Sequence, residues 1–287
     1  MVTGATAIFA VVIALACYAV YRDPGKRRPL SSVKLIVAGG VVFPVVVLSA
    51  LLVYGVALTG SLRAADEADA LHVRVTGYQF WWEVSYPGAN AGERVATANE
   101  IRIPVGRPVV LTLTSADVVH SFWVPSLAGK IDLVPGRVTQ LTLRADRAGT
   151  LRGQCAEFCG ADHARMALHV VALPEESFQS WVDHQRQAAS APQSESAAAG
   201  RGDFIEQGCA HCHAIRGVTQ PKLPAPDLTH VASREWIAAG TYRNTREQMI
   251  EWIARGDVVK PGRAMPSYRH LDPATLGRIA DYLGGLE

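Results

Sequence analysis

Hydrophobic positions change their spacing three times along the chain. Val2–Tyr21 and Leu35–Leu62 carry no charged residue. Each run reaches the ~20 residues that cross a bilayer core as a helix. No Lys or Arg precedes the first run and the basic residues follow it, the reverse of a cleavable signal. The pattern predicts a two-helix transmembrane hairpin over residues 1–62. The connecting loop, 22–34, holds Arg22, Lys26, Arg27 and Arg28. The positive-inside rule places it in the cytoplasm, with the N-terminus and everything after Leu62 outside. Pro44 lacks a backbone donor and is expected to kink the second span.

From Leu71 the period becomes two. Leu71–Thr76, Ile101–Ile103, Val109–Leu113, Leu141–Arg144 and Leu168–Ala172 read as strands with one buried face, separated by turns at Tyr86–Asn90, Val105–Pro108 and Val134–Gly136. Short strands at this spacing imply a sandwich or barrel, here over residues 63–186. Pro174–Val182 closes it as a short amphipathic helix. Residues 187–200 hold no large apolar side chain and are expected to be a flexible linker. At about 5–6 Å times √n it would span roughly 20 Å, leaving the last domain a tethered, mobile one. Beyond it, Gln248–Ala254 repeats with a helical period, and Asp272-Pro273 through Gly284 carries an N-cap, Pro at the first helical position and a terminal Gly. Residues 201–287 read as a small all-helical domain, short enough to need a staple.

Composition narrows the function. The 287 residues are 49% hydrophobic and 19% charged, with net charge +2. Two outer domains fit this length, and nothing in the charge calls for a nucleic-acid partner. Of five cysteines, Cys17 lies in the first apolar run and the others form two tight pairs, a pattern of sites rather than of a disulfide framework.

The first pair lies in Cys155-Ala-Glu157-Phe-Cys159-Gly-Ala-Asp-His163-Ala-Arg-Met166, with His120 following a strand upstream. Zinc favours Cys and His without Met, and a mononuclear blue-copper site uses one Cys. Two thiolates can bridge two ions, each with one imidazole, with Met166 axial to one and a backbone carbonyl near Glu157 serving the other. Soft sulfur ligands select copper. A structural zinc and a Cys155–Cys159 disulfide are the competing readings; His169 reads as a surface or core histidine. The second pair, Cys209-Ala-His-Cys212-His213, is a covalent haem c attachment motif, with a redox dithiol as its competitor. A distal thioether must come from downstream, where Met249 sits on a helical stripe and Met265 on an irregular loop. Met265 is the expected ligand and His211 a spectator.

These stretches, with Gly77–Trp82, His120–Ser126 and Val134–Arg137, resemble subunit II of cytochrome c oxidase, and residues 201–287 resemble a fused class I cytochrome c, through Pro226–His230 and Lys260–Pro266. The resemblance implies a membrane-anchored chain: the hairpin, a Greek-key, cupredoxin-like β-barrel for binuclear copper (CuA), and the cytochrome domain. It implies His120, Cys155, Cys159, His163, Met166 and the Glu157 carbonyl as copper ligands. The Glu157 side chain is implied at a magnesium ion on the subunit I boundary, and the Pro226 carbonyl at the proximal His213. Where the family usually places the Trp through which electrons enter, this chain has Phe80, beside Trp81 and Trp82. Near the second span it reads Ser31–Lys34 where many members have a Glu at a proton channel.

The implied function is the subunit by which electrons enter a proton-pumping, translocating oxidase of a bacterial inner membrane. Electrons would pass from haem c to CuA and on to the haem–copper oxygen site of subunit I. The partners implied are subunits I and III and an upstream cytochrome c or quinol–cytochrome c reductase. A CuA-containing nitric-oxide or nitrous-oxide reductase component is the alternative, and a copper chaperone a third.

Overall fold

Alternation at Leu71–Tyr78 buries Val73 and Val75 and leaves His72 and Arg74 exposed, the pattern that commits a strand to one face of a core. The computed structural model describes residues 2–23, 33–63, 69–88, 93–221 and 223–287. The chain separates into two compact units, Met1–Ala65 and Asp66–Glu287.

The first unit holds α1 (Val2–Tyr21), α2 (Val33–Val37) and α3 (Phe43–Arg63). Val2–Tyr21 and Val33–Leu58 are each long and apolar enough to cross a membrane. The expected interruption at Pro44 takes the form of a π-helical turn, Ala38–Val42, immediately before α3. A proline cannot return a hydrogen bond to the carbonyl four residues back, and a widened turn accommodates that lost bond. Most of the expected cytoplasmic loop, residues 24–32, lies outside the described residues, as do residues 89–92 at the end of the expected turn after Tyr86.

Among the described residues, the second unit begins with ten strands: β1 (Leu71–Tyr78), β2 (Trp81–Tyr86), β3 (Val95–Ala98), β4 (Glu100–Pro104), β5 (Val109–Ser115), β6 (His120–Trp123), β7 (Ile131–Leu133), β8 (Thr139–Leu143), β9 (Gly149–Cys155) and β10 (Ala167–Leu173). They form two five-stranded sheets, β3-β2-β1-β5-β8 and β4-β10-β9-β6-β7. Among the described residues, only β1–β5 and β4–β10 pair in parallel. Both sheets contribute to one core, with Val75, Trp82, Leu111 and Leu113 from the first and Ile103, Phe122, Leu133 and Leu168 from the second. At about 1.5–3 kcal/mol for each large apolar side chain removed from water, this core dominates the domain's stability. Helix α4 (Glu175–Gln185) covers one end through Phe178, Trp181 and Val182.

Strand β10 departs from the expected single buried face: six of its seven residues are buried. Its second face is covered by the helical domain. His169 stacks on Trp236 at 4.7 Å, and the Ala167 amide donates to the Ala239 carbonyl.

The expected linker 187–200 is corrected at its C-terminal half. Helix α5 (Glu195–Glu206) starts inside it, with Ser194 as N-cap accepting from the Ala197 amide. Small residues are what this helix needs. A Cβ on Gly200 would lie 1.9 Å from the Arg278 carbonyl oxygen, so only glycine permits the close crossing with α7 (Pro273–Gly284). The N-terminal half is held as well: Arg216 donates to the carbonyls of Gln185, Arg186 and Gln187, and the Ala189 amide donates to the Arg216 carbonyl. Helix α6 (Arg246–Val259) completes the helical domain, together with a pair of two-residue strands, β11 (Trp236–Ile237) and β12 (Tyr242–Arg243). Asp272 caps α7 with Pro273 at its first turn, as the sequence predicts.

Candidate metal centres

Strand β9 delivers Cys155 at its last position, and the loop back to β10 carries the remaining donors past a short 3-10 turn at His163–Arg165. His120, first in β6, reaches the same point and is fully buried. Cys155 Sγ lies 3.9 Å from Cys159 Sγ and 3.9 Å from His120 Nδ1. Cys159 Sγ lies 3.6 Å from His163 Nδ1 and 3.8 Å from Met166 Sδ. The Glu157 carbonyl is 3.2 Å from Cys155 Sγ. Each sulfur thus has its own imidazole, with the thioether on one side of the pair and the carbonyl on the other.

Both thiols are free, and their sulfurs are far beyond the ~2.05 Å of a disulfide. The Cys159 thiol beside it, with His120, holds the Cys155 pKa well below the ordinary thiol range against the effect of burial, and the same sulfur contact pushes Cys159 up. Burial alone would disfavour a charged His120, but its contacts with Cys155 and Asp117 outweigh this and raise its pKa. A set of two sulfurs, two imidazoles, a thioether and a carbonyl, with His120, both cysteines and Met166 buried and His163 half-buried, fits two copper ions.

The second cluster lies in the helical domain. Cys209 opens a 3-10 turn preceded by Gly208 in the left-handed region. An apolar cleft is lined by Cys209, His213, Met249, Trp252, Met265 and Leu283, among others. His213 Nδ1 is 2.8 Å from the Pro226 carbonyl. That carbonyl can only accept, so Nδ1 carries the proton and Nε2 keeps the lone pair a metal requires. Burial lowers the His213 pKa, which favours the same neutral ring. Cys212 is half-buried and His211 exposed, its ring turned back to the Gly208 carbonyl. Met249 and Met265 both line the cleft, the first from α6 and the second from the loop that follows it. Apolar walls, a neutral imidazole and two thioethers fit a haem.

Residues 89–173 match the family model for the periplasmic domain of cytochrome c oxidase subunit II, and residues 197–287 match that for cytochrome c. Cytochrome c oxidase subunit 2 of Alkalihalophilus pseudofirmus is 35% identical over 237 residues, 80% of this chain and 67% of the relative. That of Cereibacter sphaeroides is 32% identical over 225 residues, 65% of this chain and 73% of the relative. The chain belongs to the cytochrome c oxidase subunit II family. Among solved structures, the periplasmic domain of subunit II of cytochrome oxidase from Bradyrhizobium japonicum is 30% identical, covering 40% of this chain and 93% of that one, with a TM-score of 0.38. The chain spans about two thirds of the length of the curated relatives it matches.

Within this subunit II the two-sheet domain is the cupredoxin-like fold expected from the sequence, and the helical domain the expected cytochrome c. The structure also assigns supporting roles that sequence motifs did not reveal. Asp117 lies 2.8 Å from His120 Nε2 and its other oxygen accepts from the Gln79 amide. Gln79 Nε2 donates to the Cys159 carbonyl at 2.5 Å. A Cβ on Gly77 would stand 2.8 Å from the His120 ring, so the imidazole occupies space that only glycine leaves open. The one signal in the sequence was the run Gly77–Trp82 itself. Of its aromatics, Phe80 and Trp82 are buried, and Trp81 is half-buried and stacked on Tyr78 at 4.7 Å.

Proposed function

We propose that this chain is the subunit through which electrons enter a membrane-bound haem–copper oxidase. When bound, haem and a copper pair supply two one-electron carriers in series between an external donor and the oxygen-reducing site of subunit I. The convergence of His120, Cys155, Cys159, His163 and Met166 on one buried point, in a chain that also carries Cys209-Ala-His-Cys212-His213, is the observation that supports this reading most.

The chain's own residues have distinct tasks. Cys155, Cys159, His120, His163, Met166 and the Glu157 carbonyl would together hold two copper ions, which would supply a one-electron carrier there. Trp82 packs against His120 and is itself backed by Phe122, and these buried rings exclude water from the imidazole. Cys209 and Cys212 would bind a haem covalently, His213 and Met265 would hold its iron, and the Pro226 carbonyl orients His213. The half-buried Glu157 side chain offers a carboxylate for magnesium at the boundary with subunit I. The two apolar helices anchor the chain in a bacterial inner membrane, with both redox domains on the outer face, subunits I and III as partners and a cytochrome c or quinol–cytochrome c reductase as donor. Proton pumping belongs to the complex.

Mass analysis of the denatured chain, expressed with a cytochrome c maturation system, tests the haem assignment. One haem should remain attached, and Cys209→Ala with Cys212→Ala should abolish attachment. Met265→Ala should remove the low-spin axial signature while Met249→Ala keeps it. A chain that releases its haem on denaturation contradicts the covalent assignment.

A further inference from the structure

The two ligand loops touch each other. Lys260 closes the C-terminal end of α6 and opens the loop leading through Gly262 to Met265. Its ammonium is ion-paired with Asp162 and donates to the Arg165 carbonyl at 2.6 Å. The Lys260 and Asp162 side chains are 4% and 0% exposed. Asp162 immediately precedes His163, and its other oxygen accepts from Arg165 Nε at 2.8 Å. Beside this pair the backbones nearly meet. A Cβ on Gly262, whose φ is +78°, would lie 3.3 Å from Ala161 Cβ and 3.5 Å from the Phe80 ring. Gly160 approaches another edge of the same ring.

We propose that Asp162 and Lys260 are positioning residues that lock the cytochrome domain in one register on the copper loop. The proposal rests on the reading of these loops as copper- and haem-bearing.

The two domains also meet through contacts with at least one uncharged partner: His169 stacks on Trp236, Arg102 donates to the Ser233 carbonyl, the Ala167 amide donates to the Ala239 carbonyl, and the Glu235 amide donates to Glu100. The Glu100 carboxylate is already neutralised by Arg102 within β4. A buried ion pair is less forgiving. A small shift leaves both charges without water and without a partner, so its contribution is to discriminate between poses rather than to add affinity. Affinity is the lesser need, since a short tether already supplies an effective concentration on the order of mM. Register is the greater one, because electron transfer weakens steeply with the separation of donor and acceptor. The same docking brings Gly262 against one edge of the Phe80 ring.

The test uses the full-length chain, Lys260→Met and Lys260→Gln, with hydrogen–deuterium exchange read in segments 160–166 and 260–265. Copper and haem absorbance and the haem potential serve as loading controls. The rate of haem oxidation is followed after flash photoreduction. Both variants should keep the spectra and the potential. Exchange should rise about tenfold or more in both segments together, and the intramolecular rate should fall. Gln retains a donor for the Arg165 carbonyl but no charge, so it separates the ion pair from the hydrogen bond, and it carries the comparison if the Met variant does not fold. Unchanged exchange in 160–166, or a rise confined to 260–265, would overturn the lock. Exchange needs neither metal nor haem: a chain whose loops are coupled but that binds no copper overturns the functional reading alone.

Discussion

Asp117 Oδ1 lies 2.8 Å from His120 Nε2 and so turns the other ring nitrogen, Nδ1, toward Cys155 Sγ at 3.9 Å. A carboxylate behind a ligating imidazole fixes both its orientation and its tautomer. Asp117→Ala should therefore weaken copper binding by roughly 10–100-fold while leaving the fold intact, because Asp117 is partly exposed. Competitive copper titration measures this, and an unchanged affinity would show that the β6 backbone alone orients the ring.

Acid should loosen the unit at His169. Burial, and secondarily Arg152, lower its pKa from 6.5 to about 4. Between these values the unfolded chain binds the extra proton, so stability is fully present above about pH 6.5 and is lost as pH falls toward 4, by about 3 kcal/mol at 1.4 kcal/mol per unit. His169→Phe keeps a ring against Trp236 and removes the titration. Denaturant midpoints between pH 7 and pH 4.5 should fall more steeply for the native chain than for this variant; parallel curves would contradict the assignment.

The crossing of α5 and α7 should be the helical domain's least forgiving contact. Gly200→Ala places a methyl 1.9 Å from the Arg278 carbonyl, a backbone atom that cannot swing aside. The helices must separate, at about 1–3 kcal/mol or more. Thermal unfolding followed at the haem band should shift down, whereas Gly202→Ala, with open space around it, should match or exceed the native midpoint.

Much of this architecture is legible in the sequence because it rests on periodicity and local spacing. The apolar runs, the alternation in β1 and the capped α7 follow from a residue and its near neighbours. So does the Cys155–Met166 loop, whose donors lie within one turn of chain. What is not legible depends on how the chain turns and on distant partners. Asp117 is only three residues from His120, but it meets the ring because the turn between β5 and β6 brings it back there, and no motif marks it. Strand β9 was hidden because Arg152 and Gln154 face outward from it and Gly149 and Gly153 dilute its apolar pattern. The Ala- and Gly-rich start of α5 reads as linker until α7 lies across it. The burial of six of the seven residues of β10 requires a second domain whose docking no local pattern encodes.

Metal analysis of the purified full-length chain, joined to electron paramagnetic resonance of its oxidised form, decides whether one chain holds two copper ions at Cys155 and Cys159 as well as a haem. Two coppers and one iron per chain are expected, with one unpaired electron shared equally between the coppers and lost as a shared signal in Cys155→Ser. One zinc and no copper per chain, or a single copper with a localised electron, would contradict it.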